Sequence, residues 1–173
     1  MEGPTPVSAL IHAATMVTAG IFLVIRCSHL IDLSETTLKL MVIFGVLTSV
    51  FSGLIALGQW DLKKIIAFST CSQLGYMFAI CGISSYSLSF FHLTTHAFFK
   101  ALLFLTAGYI IHMYSGEQDI RKMGSVIKLS PFAYIMMLIA SLSLMGFIGF
   151  SGFYSKEALI HVFYIKSEFN QLF

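Results

Sequence analysis

Three basic side chains recur at every fourth position inside one apolar stretch: His92, His96 and Lys100, in SLSFFHLTTHAFFKALLFLTAGYIIHM. The stretch is long enough to cross a bilayer, where a central lysine costs about 2.5 to 3.5 kcal/mol. Spacing of i, i+4 and i+8 puts the three groups on one helical stripe, about 6 Å apart along its axis. Desolvation disfavours a charged ammonium and imidazole titrates near neutrality, so such groups at water-bridging intervals can pass protons. In the bland alternative the histidines satisfy neighbouring carbonyls while Lys100 snorkels towards an interface. Snorkelling is strained here, because Lys100 falls near the middle of residues 86–113. Metal binding by the histidine pair is a third option, but no cysteine or carboxylate stands nearby in sequence to complete a site.

Other candidates are weaker when read from the residues alone. Lys63 and Lys64 follow Asp61, an expected helix N-cap, and read equally well as interfacial charges obeying the positive-inside rule. Lys156 stands beside a glycine-rich break and next to Glu157; it fits a functional lysine at a half-helix start or one snorkelling to the far face. His12 is a lone histidine on the first apolar segment, where a structural hydrogen-bonding role is as natural as a proton-carrying one. His29, His112 and His161 fall towards segment ends and read as bland. Ser69, Ser72, Gln73, Thr94 and Thr95 read as groups that hold water or join helices.

These residues need a membrane bundle to position them. Of 173 residues, 57% are hydrophobic and only 10% charged, far from the ~25% charged residues of soluble domains. The fold class expected is therefore all-α, a polytopic transmembrane helix bundle of about five spans with a broken last helix. The net charge of +2 sits at segment ends and gives no support to nucleic-acid binding. Cys27, Cys71 and Cys81 form no CxxC and no metal-ligand spacing, and no haem, flavin or iron–sulfur motif is present. No basic n-region precedes a short apolar core, so the first apolar segment reads as a spanning helix rather than a signal peptide.

Length and punctuation give spans at about 5–26, 37–58, 61–82, 86–113 and 131–165. Pro4 and Pro6 enter the first, and Trp60 marks an interface before the third. Gly45, Ser49 and Gly53 form a small-residue stripe on the second span, and Ala67, Cys71, Gly75 and Ala79 form another on the third. The last segment, as one helix, would run about 52 Å, well beyond a ~30 Å hydrocarbon core. Gly146, Gly149 and Gly152 place a break at about 146–153, giving two half-helices. The polar stretch 115–130 is a connecting loop. It shares one side with Lys63, Lys64, Arg121, Lys122 and Lys128, against Arg26, Lys39 and Lys166 on the other, which places the N-terminus on the cytoplasmic or matrix side.

Five blocks carry a family resemblance: EGPTPVSALIHAATMVTAGIFLVIR, DLKKIIAFSTCSQLGYMF, FHLTTHAFFKALLFLTAG, EQDIRKMG and GFYSKEALI. In this order they resemble the subunit 5 family of respiratory complex I, the proton-pumping NADH:ubiquinone oxidoreductase, and cover essentially the whole chain. That family belongs to the antiporter-like subunits related to cation/proton antiporters of the Mrp type. The resemblance implies an inverted-repeat antiporter-like fold and a proton relay through Lys63, His92, His96, Lys100, Lys156 and His12. It implies no catalytic, cofactor or metal residue on this chain, with FMN, iron–sulfur clusters and ubiquinone elsewhere in the complex. It implies other membrane-arm subunits and lipids as partners, and a multi-pass place in the mitochondrial inner membrane rather than a bacterial plasma membrane.

The chain departs from the family pattern in extent. The family's subunit is several-fold longer, and this sequence matches the last helix of its first repeat plus most of its second. An earlier broken helix with its lysine, the carboxylate pairing with that lysine, and a long lateral helix are not in it. Met1 aligns with a family methionine in AMEGPTP, which suits a split gene or a shortened chain and implies a companion chain carrying the rest. The rival class is a subunit of a multisubunit Na+/H+ antiporter of the Mrp type. Thr18 in MVTAG, where those relatives more often carry lysine, argues for complex I.

Overall fold

The computed structural model describes residue 7 and residues 15–169. His12, Pro4, Pro6 and the first part of the expected 5–26 span lie outside the described residues. Helix α1 covers Met16–Arg26, and a single turn, α2, covers Ser28–Ile31. Three long helices follow: α3 Glu35–Leu57, α4 Leu62–Cys81 and α5 Tyr86–Met113. All three are long and apolar enough to cross a membrane. A 3-10 turn at Ile120–Lys122 and a short α6, Val126–Leu129, lie within the polar connection. Helices α7, Pro131–Met145, and α8, Ser151–Phe169, are the last elements among the described residues.

The α3–α4 contact is a backbone approach. A Cβ at Gly45 would meet the Ala79 nitrogen at 2.5 Å, and one at Gly75 would meet the Gly45 carbonyl oxygen at 2.7 Å. Lipid tails are as apolar as the helices, so this close packing, not solvent exclusion, holds them together. The expected stripes are only half used: Gly53 faces open space and Cys71 is exposed. Gly82 extends the contact instead, pressing on the backbone of Leu38 and Val42.

Both ends of the bundle are tied by polar groups. At one end Leu62 N–H donates to the Gln118 carbonyl and Ile120 N–H to the Trp60 carbonyl, each at 3.0 Å, fastening the polar loop to the start of α4. Arg121 lies over the Trp60 ring, 4.8 Å from its centroid. Asp61 extends before α4, but its carboxylate makes no cap and pairs with Lys64 at 2.8 Å. At the other end the Asp32 carboxylate accepts from Ser84 at 2.9 Å and from Tyr86 at 2.7 Å, joining the α2–α3 and α4–α5 connections.

The last segment breaks where its glycines allow it. Gly146, at φ 84°, ends α7 in the left-handed region. Phe147 N–H donates to the Leu142 carbonyl and Gly146 N–H to the Ser143 carbonyl, the paired closure of a Schellman cap. Gly149, at φ 94°, turns the chain again before α8. The two half-helices then cross tightly, since a Cβ on Gly152 would lie 1.7 Å from the Ser143 carbonyl oxygen.

Candidate functional site

The face of α5 opposite lipid carries the basic row. His92, His96 and Lys100 are each 0% exposed, enclosed by α4 on one side and by α8 on another. Lys100 does not snorkel. Its Nζ donates to Ser69 Oγ at 2.6 Å and to the Ile66 carbonyl at 3.4 Å, both on α4. Among the described residues this ammonium is held by neutral oxygens, whose dipoles and not a carboxylate compensate its charge.

His92 is held from two helices at once. Its Nε2 lies 3.2 Å from Gln73 Oε1 on α4, and its Nδ1 lies 2.9 Å from Ser155 Oγ on α8. With Gln73 Oε1 accepting from Nε2, a neutral ring leaves Nδ1 to accept from the Ser155 hydroxyl, whose hydrogen also has the Ser151 and Gly152 carbonyls within reach. Thr95 Oγ1 approaches the same hydroxyl at 3.2 Å. Thr95, Ser155, His92 and Gln73 thus form one hydrogen-bonded chain across three helices. Both His92 nitrogens are engaged, and among the described residues no group of three His, Cys, Asp or Glu side chains is placed to hold a metal ion.

His96 sits between these two anchored groups. Its ring centroid is 6.1 Å from that of His92 and 5.3 Å from the Phe99 ring, which meets it edge-on. Neither Nδ1 nor Nε2 has a hydrogen-bond partner among the described residues. Leaving a buried polar nitrogen unsatisfied costs about 1–3 kcal/mol, so His96 keeps hydrogen-bonding capacity that the described residues do not use.

The two lysines outside the row occupy different settings. Lys63 is buried at the start of α4 while its neighbour Lys64 is exposed, as a 100° step between adjacent helical positions dictates. Lys156 does not use Glu157, which is exposed. Its Nζ donates to the Leu144 carbonyl, one of the last acceptors of α7. The ammonium therefore sits at the negative end of the half-helix preceding the break rather than serving only the positive end of its own. It also lines a cleft of about 450 Å³ with Ser49, Tyr76 and Phe163. Its charge lies within Coulomb range of His92, His96 and Lys100.

Sequence spacing brought His92, His96 and Lys100 together; their cross-helix partners came only with the fold. Ser69 and Gln73 read from sequence only as groups that hold water or join helices, and Ser155 carries no local signal. Thr94 Oγ1 donates to the Phe91 carbonyl of its own helix, a local bond that joins no second helix. His29, His112 and His161 are all exposed.

Comparison with known proteins places this geometry among relatives. The family model described as NADH:quinone oxidoreductase/Mrp antiporter, TM, matches residues 1–172. NADH-ubiquinone oxidoreductase chain 5 of Acanthamoeba castellanii is 57% identical over 173 residues, which is 100% of this chain and 26% of that protein. The protein of the same name from Metridium senile is 60% identical over 95% of this chain and 27% of its own length. That from Arabidopsis thaliana is 58% identical over 96% and 25%. This chain therefore spans about a quarter of the curated relatives it matches. Among solved structures, a chain of the Mrp complex from Dietzia sp. DQ12-45-1b superposes with a TM-score of 0.81 at 34% identity, over 90% of this chain and 17% of that one.

Proposed function

We propose, because this chain belongs to the NADH:quinone oxidoreductase/Mrp antiporter transmembrane family, that it forms a proton-translocating part of the membrane arm of a proton-pumping NADH:ubiquinone oxidoreductase. The observation that carries this reading is the fully buried row of His92, His96 and Lys100, each free of lipid and the outer two hydrogen-bonded across helices. Such groups are expensive at hydrocarbon depth and are kept where ions or protons move.

Protons enter from the end bearing the 115–130 loop, past Lys63, and reach Lys100 and His96. They pass to His92 through its Gln73–Ser155–Thr95 chain and leave on the Lys156 side of the row, with His12 as a further carrier. The protonation states of His92, His96, Lys100 and Lys156 are coupled, since charge on Lys156 is felt by the other three. Quinone reduction elsewhere in the complex biases those states; NADH, FMN, iron–sulfur clusters and ubiquinone act on other chains. Its partners are the other membrane-arm subunits, with a companion chain supplying the remaining length of the subunit. The mitochondrial inner membrane is its location, a reading supported by the eukaryotic chain 5 relatives.

The Mrp likeness supports a shared fold and keeps an Na+/H+ antiporter subunit as the second reading, but at 34% identity against 57–60% for the chain 5 relatives. The test is Lys100→Met in the assembled complex, with proton uptake into vesicles measured during NADH oxidation. Pumping is lost and assembly retained; undiminished pumping with normal assembly overturns the relay, and sodium-dependent transport without NADH oxidation favours the antiporter.

A further inference from the structure

The polar stripe of α5 does not stop at His92. Towards the end of the bundle away from the 115–130 loop it continues through Ser89 and Ser85, both buried. Positions 89, 92, 96 and 100 are spaced by three and four residues, the repeat that keeps side chains on one helical face, and Ser85 stands at the N-cap four residues before Ser89. Ser89 Oγ reaches the Met77 carbonyl of α4 at 3.2 Å. Ser85 ends the stripe, and there the half-buried Lys166 folds in from α8. Its Nζ donates to Ser85 Oγ and to the Ile83 carbonyl, each at 2.9 Å. A lysine that reads from sequence as a loop-end charge therefore stands at the mouth of the buried file. The Lys156 amine lies ten residues earlier on α8 and donates to the Leu144 carbonyl at the helix break, away from this mouth.

We propose that Lys166, with Ser85 and Ser89, is the outlet through which protons leave the His92–His96–Lys100 file at the face opposite the 115–130 loop. The inference rests on the proton-translocation reading and adds a residue and a route to it. The Lys166 ammonium gives one N–H proton to bulk water, and the freed nitrogen lone pair takes the next proton delivered along the stripe. Each serine hydroxyl binds the incoming proton on its oxygen and releases its own onward, so one proton crosses and every group returns to its starting state. Successive stations are one helical turn apart, about 5–6 Å, a distance that one water spans.

Arginine separates an outlet from a tether. Lys166→Arg keeps the positive charge and the donors that bind Ser85 and Ile83, but guanidinium does not release its proton. In the assembled complex, reconstituted into vesicles, proton flux during NADH oxidation in Lys166→Arg and Lys166→Met falls by about tenfold, short of the ~100-fold that marks the low end for a positioned acid–base group. Wild-type flux in Lys166→Arg overturns the proposal and leaves the lysine as a clamp. Lys100→Met measured alongside keeps the two claims apart. Flux lost there but kept in Lys166→Arg overturns the outlet alone, and flux kept in both overturns the outlet and the relay together.

Discussion

Helix α4 presents two opposite kinds of contact, and they divide the labour of the molecule. Towards α3 it offers Gly75, Ala79 and, at its C-cap, Gly82, and the two backbones approach closely with the Thr48 hydroxyl and a Val42 methyl beside them. Towards α5 it offers Ile66, Ser69 and Gln73, whose oxygens take up Lys100 and His92. The first face gains dispersion contacts and rigidity from closeness, the main adhesive available to helices in lipid. The second holds ionisable groups apart from lipid, each at the end of a hydrogen bond that a proton can follow. One helix therefore serves as both wall and conduit, and the rigid side fixes the register of the polar one.

Substitutions break the comparison in graded ways. The largest effect falls on the polar face: Lys100→Met lowers proton flux by about 100-fold, the low end of what a positioned acid–base group contributes. The thermal transition of the complex stays unchanged or rises, because an apolar side chain of similar volume relieves a buried charge. Gly75→Ala does the converse. Its Cβ meets backbone at 2.7 Å, so about 2–3 kcal/mol of stability is lost to overpacking, visible as a lower melting temperature in detergent. Gln73→Leu falls between the two faces. It leaves His92 Nε2 without its acceptor at a cost of about 1–3 kcal/mol, and flux falls with it. Gly53→Ala is the control. Its Cβ enters open space, and the helix gains up to about 1 kcal/mol from replacing glycine.

What the sequence made legible was local. The His92–His96–Lys100 stripe, the bundle and a glycine break follow from periodicity, length and backbone freedom, none of which needs tertiary knowledge. Half of each small-residue stripe packs and half does not, because spacing fixes a helix face while the neighbour's extent decides how much of that face is covered. Asp61 occupies an N-cap position, yet its carboxylate goes to Lys64, a nearby cation competing with backbone N–H groups. Lys156 lies beside Glu157 in sequence and donates instead to the end of another half-helix. Ser155 and Lys166 acquire their partners across 63 and 81 residues, a reach that no short motif encodes.

Ordered solvent at His96 offers the most direct view of the relay. A density map of the assembled complex, at a resolution that shows water, is expected to place a molecule within hydrogen-bond distance of Nδ1 or Nε2, linking the ring towards Lys100 or His92. A dry, apolar enclosure around both nitrogens would contradict proton passage through this row.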